Sequence, residues 1–161
     1  PQRIEVLNFH LSLQSEIKFK EENMNNIEIK ENIIPSKDSV YKLYSNVGWI
    51  AYTCDMDRLM KAIENSLRVI TAWDQGKLVA LLRIVGDGYS IIYIQDILIL
   101  EDYQRMGLGS KMLRLILDDY SDVRQIILAT DDTEKTKSFY ENNGFRQAKD
   151  YDCISYMKIN M

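Results

Sequence analysis

The chain has 161 residues, 46% of them hydrophobic and 27% charged, and a formal net charge of −4. That length suits one domain with a real core. The charge balance argues against a nucleic-acid surface, and no apolar run approaches the ~18–20 residues of a membrane span.

Residues Pro1 to Asn23 look foreign to the rest. Met24 begins a plausible start of its own, and Lys20-Glu21-Glu22 would be encoded by purine-rich codons resembling a bacterial ribosome-binding site. The expectation is that residues 1–23 are a non-native or upstream extension and that residues 24–161 form a single domain. Glu16 to Lys20 and Ile27 to Lys30 both alternate with period two, which is compatible with a hairpin across Asn23 to Asn26.

From Ile27 a strand is expected to Ile34, then Pro35-Ser36 as a helix start and a helix through Tyr44. A loop follows from Ser45 to Thr53. Asp55 caps a second helix, Met56 to Asn65, with Leu59, Met60 and Ile63 inward. Leu67 to Trp73 and Lys77 to Val85 read as strands joined at Asp74-Gln75-Gly76, and Gly86-Asp87-Gly88 makes another tight turn. A buried strand runs from Ile91 to Leu100. The polar turn Glu101 to Tyr103 leads into Gln104-Arg105-Met106-Gly107-Leu108-Gly109-Ser110 and an amphipathic helix, Lys111 to Tyr120. Gln125 to Thr130 is a short apolar strand. Asp131 or Asp132 caps a helix from Thr133 to Asn142, Gly144 stops it, and Phe145 to Met161 supplies two closing strands.

A strand feeding a glycine-bearing loop at a helix N-terminus aims free backbone N–H groups and the positive end of the helix dipole at one point. Such a point suits phosphate. The dinucleotide fingerprint fails, because its third glycine position is Met112. The P-loop fails because the required gap before Gly-Lys-Ser/Thr is absent. The pattern that fits is Q/R-x-x-G-x-G/A, carried by Gln104, Gly107 and Gly109. It resembles the pyrophosphate loop of the GNAT acyltransferase superfamily, which binds acetyl-coenzyme A. Ser138 to Phe145 resembles that family's late-helix pattern of an apolar residue, Tyr, and then Gly-Phe.

The resemblance covers nearly everything from Met24 onward. It implies an α/β (α+β) fold with a mixed, mostly antiparallel central sheet, a splayed fourth and fifth strand, and flanking helices. It implies acetyl-coenzyme A as co-substrate, its pantetheine arm on the main chain of Ile97, Leu98 and Ile99. The pyrophosphate would lie on the N–H groups of Arg105, Met106, Gly107, Leu108, Gly109 and Ser110. Glu101 stands where the family often has Pro. Thr133 stands where it often has Asn, seven residues before Tyr140, and its hydroxyl partly replaces that amide toward the cofactor arm. Arg105 and Lys111 are either solvated charges or phosphate contacts.

Acyl transfer to an amine needs three things: the ammonium must lose a proton, the oxyanion needs a donor, and the departing thiolate needs a proton. Tyr140 is the candidate acid, since a phenol with a pKa of about 10 is protonated at neutral pH; the alternative is a packed helix aromatic. A backbone N–H near Leu98 could polarise the thioester carbonyl. Asp96, inside an apolar run, is the candidate base or amine anchor. Its alternative is a carboxylate satisfied by Arg83 or by backbone donors where the strand bulges. Trp49, Tyr52 and Tyr44 fall around the loop that the resemblance places over the acceptor, where they are either ring contacts for an amine or core plugs. An acidic protein favours a cationic acceptor.

His10 is the single histidine, so a Ser/His or Cys/His pair or a multi-histidine metal site is not expected. Cys54 and Cys153 lack C-x-x-C spacing and read as free thiols in a reducing cytoplasm. Neither falls where a covalent acetyl intermediate would form. The expected activity is therefore direct acetyl transfer to the primary amine of a small molecule in a ternary complex. Rival readings are acetylation of a protein N-terminus or lysine, and a coenzyme A-binding regulatory module without turnover. A homodimer is compatible with this fold; nucleic-acid, membrane and metal partners are not expected.

Overall fold

The computed structural model describes residues 26–160. They fall into two compact units, one ending at Leu128 and one beginning at Ala129. The hairpin expected across Asn23 to Asn26 and His10 lie outside the described residues, as does all of the 1–23 segment.

The first unit runs β1 (Ile27–Glu31), α1 (Lys37–Asn46), α2 (Ile50–Thr53), α3 (Met56–Glu64), β2 (Arg68–Asp74), β3 (Lys77–Gly86), β4 (Ile91–Ile99), a 3-10 turn (Glu101–Tyr103), α4 (Leu108–Asp119) and β5 (Gln125–Leu128). Local chemistry sets most of these boundaries. Ser36 opens α1 by accepting from the Ser39 amide at 3.2 Å, and Asp55 opens α3 by accepting from Arg58 at 3.0 Å. One turn apart on α3, Leu59 and Ile63 are buried, while Met60 is half-buried. Gln75 and Gly76 both have positive φ, 47° and 82°, which a two-residue type I′ hairpin requires. At Gly86 an added Cβ would lie 2.3 Å from the Ile91 carbonyl oxygen, so only glycine fits there.

The strands form one sheet in the order β1-β2-β3-β4-β5. Pairing is antiparallel from β1 to β4 and parallel between β4 and β5. The mixed, mostly antiparallel sheet expected from the sequence is what the chain forms. β3 is central and buried from Leu78 to Ile84, which is why it shows no alternation and is apolar but for Arg83. Between β3 and β4 the register passes from Arg83↔Asp96 to Ile84↔Ile94, leaving Gln95 as the extra residue of a bulge. Parallel pairing with β5 covers Ile91 to Ile94 and ends with Leu128, while β4 continues to Ile99. Beyond Ile94, β4 therefore has no β5 partner among the described residues.

The second unit holds α5 (Glu134–Asn142) and a 3-10 turn (Ala148–Tyr151). Among the described residues the two closing strands expected after Phe145 do not form. A strand persists only where a ladder takes up its N–H and C=O groups. Here the extended run is broken by the 3-10 turn and by Asp152 at φ 55°, and Ile154, Tyr156, Met157 and Ile159 are exposed.

Other boundaries also differ from expectation: β1 ends at Glu31 rather than Ile34, α1 runs past Tyr44 to Asn46, and β5 ends at Leu128 rather than Thr130. The cap of α5 is Thr133, not Asp131 or Asp132: its extended backbone aims the hydroxyl at the Thr136 amide, 3.2 Å away. α4 begins at Leu108 rather than Lys111, because Gly107 in the left-handed region already serves as its N-cap. The loop after α1 contains one turn of helix, α2. No helix among the described residues is long and apolar enough to cross a membrane.

Candidate active site

At the N-terminus of α4 the backbone takes an uncommon course. Arg105 has φ 62° and Gly107 φ 81°, and no side-chain hydrogen bond caps the helix at Gly107. Left-handed residues alternating with others turn successive N–H groups to one side and make an anion-binding concavity. Gly107 and Arg105 are exposed, Met106 and Ser110 half-buried, and Leu108 and Gly109 buried beneath the helix start. Gly107, Ser110, Lys111 and Arg114 border an open depression of about 360 Å³. This end of α4 thus offers a left-handed glycine cap and first-turn amides with Lys111 and Arg114 beside them, an arrangement that fits a diphosphate, and the Asp118 carboxylate lines the same depression further along the helix.

The loop is tied back to the strand that precedes it. The Gln104 side-chain amide donates to the Ile99 carbonyl at 3.0 Å, so one of the three backbone positions expected to face the cofactor arm has its carbonyl engaged by the chain. Leu98 is buried, while Ile97 and Ile99 are half-buried on the other face of β4. All three lie in the part of β4 that β5 does not cover.

On the Leu98 face, Asp96 is 1% exposed. Its Oδ2 accepts both from the Tyr44 hydroxyl at 2.6 Å and from Arg83 Nε, across the bulged register. Arg83 also reaches Ser66 Oγ at 3.4 Å. Asp96 Oδ1 is buried and takes no hydrogen bond from the described residues. Of the two readings open in the sequence, the pairing with Arg83 is present, and Tyr44 is a second donor that the sequence does not announce. Burial, then the Asp96 charge and hydrogen bond, push the Tyr44 phenol well above its ordinary value, so it stays a donor.

Tyr44 lies within α1, where the sequence placed it, and it is fully buried. As found, it is a core ring and not a surface offered to an acceptor. Trp49 and Tyr52 stack on each other with centroids 5.6 Å apart, and each ring stands about 6 Å from that of Tyr44 (6.1 and 6.0 Å). Tyr52 is 40% exposed. Asp96, Tyr44, Trp49 and Tyr52 therefore form one cluster, which sequence spacing alone could not have assembled.

Two candidate residues belong to the second unit. Tyr140 is on α5, its ring edge-on to Phe139 and Phe145 at 5.0 and 5.8 Å. The Thr133 hydroxyl, expected to meet the cofactor arm, accepts from the Thr136 amide and shares a 3.0 Å bond with the Thr136 hydroxyl. It is engaged in capping its own helix. Cys54 and Cys153 are free and exposed. No group of three or more His, Cys, Asp or Glu among the described residues could hold a metal ion.

Against this geometry, the family model described as "Acetyltransferase (GNAT) domain" matches residues 65–147. A GNAT-family acetyltransferase of Streptococcus pneumoniae TIGR4 superposes with a TM-score of 0.74 and 37% identity, covering 83% of this chain and 98% of that one. A protein of Gibberella zeae named as an acetyltransferase is 30% identical over 57% of this chain, and an uncharacterized N-acetyltransferase of Prochlorococcus marinus is 28% identical over 65%. The matches span 51% and 59% of those two curated relatives' own lengths. With its glycine loop at the start of α4 and its mixed five-stranded sheet, the chain belongs to the GNAT family of acetyltransferases, enzymes of the acyltransferase class.

Proposed function

We propose that the protein transfers an acetyl group from acetyl-coenzyme A to the primary amine of a small molecule, directly, with both bound at once. The observation that supports this reading is the stretch of β4 beyond Ile94 that β5 does not pair, followed by the left-handed turn at Gly107 that opens α4. When bound, acetyl-coenzyme A supplies an activated thioester. The amides of Arg105 to Ser110 hold its diphosphate, and the main chain of Ile97, Leu98 and Ile99 that β5 does not cover pairs with its amide-bearing arm like an added strand, apart from the Ile99 carbonyl that Gln104 already occupies.

Asp96 is the proposed anchor or base for the acceptor amine. With Oδ2 held by Tyr44 and Arg83, Oδ1 is the atom left to meet it. Trp49 and Tyr52 supply the apolar rings beside it. Tyr140 is the proposed acid for the departing sulfur, and Thr133 a lesser contact to the arm; both assignments rest on the family resemblance. Holding two reactants in register is worth roughly 7–11 kcal/mol, against roughly 10²–10⁴-fold for one acid or base. Positioning is therefore the larger contribution.

Calorimetry with acetyl-coenzyme A, followed by a thiol-release assay over a panel of small amines and short peptides, tests this. Saturable binding and release driven by a small amine are expected. Absence of binding overturns the cofactor site, and release driven by peptides alone overturns the acceptor class.

A further inference from the structure

We propose that Asp74, at the tip of the β2–β3 hairpin, is a positioning residue for the diphosphate loop and acts through Tyr103; this rests on the proposed binding of acetyl-coenzyme A at that loop. The loop needs holding. Arg105 stands in a left-handed conformation that residues with a Cβ seldom adopt, and its amides are useful to an anion only if they point together.

Three ties from three elements hold the residues just before it. Asn46, at the end of α1, accepts from the Glu101 amide at 3.1 Å. Gln104 reaches the end of β4 at Ile99. Between them, the Tyr103 hydroxyl donates to Asp74 Oδ2 at 2.7 Å. Asp74 is a firm point of attachment: it pairs with Lys77 to close the Gln75-Gly76 turn, and Lys77 Nζ lies 5.6 Å from the centroid of the Tyr103 ring. The same bond to Asp74, with burial second, pushes the Tyr103 phenol up to about 12, so it remains a donor at any ordinary assay pH. Neither side chain belongs to the loop or to the Asp96 cluster, so both act at one remove from the reacting atoms.

Acetyl-coenzyme A affinity measured by calorimetry for Tyr103→Phe, Asp74→Ala, the double variant and Asp74→Asn tests the proposal. Each single loss should weaken binding roughly three- to tenfold, with the double variant no weaker than the poorer single. Asp74→Asn keeps an acceptor oxygen and should stay within about twofold of the parent. In steady state the KM for acetyl-coenzyme A should rise while kcat at saturation holds. Unchanged affinity in both single variants, or losses that add in the double, overturns the positioning role even if melting temperatures fall. A parent protein that does not bind acetyl-coenzyme A overturns the cofactor reading and this proposal with it, whereas a binding parent with indifferent variants overturns this proposal alone.

Discussion

Replacing Asp96 with leucine removes one carboxylate and strands two donors. Arg83 is 5% exposed, and its other hydrogen-bond partner is Ser66 at a long 3.4 Å. A buried guanidinium deprived of its counter-charge costs about 3–5 kcal/mol. The buried Tyr44 hydroxyl, whose acceptor is Asp96, adds about 1–3 kcal/mol when that acceptor goes. Arg83→Met should cost a similar ~3–5 kcal/mol by leaving the carboxylate buried with Tyr44 alone. The triple variant Tyr44→Phe/Arg83→Met/Asp96→Leu removes every polar member together. It should be more stable than either single charge variant, since apolar replacement of a whole buried pair is often neutral. Urea unfolding at constant m-value measures these differences. If the losses simply add, or if each single loss is below about 1 kcal/mol as for a solvated pair, the account of a desolvated, mutually dependent cluster is wrong. The less disruptive Asp96→Asn separates fold from function: unchanged acceptor kinetics would remove Asp96 from the acceptor site.

Gly107→Ala should unfold a few degrees earlier, because a Cβ at φ 81° costs about 1–2 kcal/mol although, among the described residues and apart from its own chain neighbours, it would meet no atom within 4 Å. It should also weaken acetyl-coenzyme A by roughly tenfold or more through a lost or displaced charge-assisted bond; unaltered calorimetry would show that the loop does not touch the anion. Tyr140→Phe should leave a slow but measurable enzyme in the thiol-release assay, and unchanged turnover would take Tyr140 out of the reaction. Asp87 is held far below the ordinary carboxylate range by the Ser90 hydroxyl first, then by the amides of Tyr89, Ile91 and Ser90. Its contribution is therefore complete above the unfolded value of about 3.9 and is lost as pH falls toward the folded one. Melting curves taken below pH ~4 should accordingly flatten in Asp87→Asn, and parallel acid limbs in the two proteins would contradict that sign.

Most of what the sequence alone determined comes from residues that act on near neighbours. Ser36 and Asp55 open their helices with side chains that reach three residues ahead. Gln75-Gly76 and Gly86 mark turns by what φ they tolerate, and the strand–glycine loop–helix order around Gly107 needs no distant partner. Tertiary structure decided the rest. Asp96 meets Arg83 through a bulge at Gln95 and meets Tyr44 across 52 residues of chain. Tyr44 faces inward because α1 packs on β3 and β4, and Asp74 meets Tyr103 across 29 residues of chain. The tail after Phe145 has enough apolar residues for strands but forms none among the described residues, since a strand exists only with a ladder beside it. A cap or a turn is specified by bonds within a few residues. A buried charge, a bulged register and a missing ladder depend on groups that are distant in sequence and adjacent only in the folded chain.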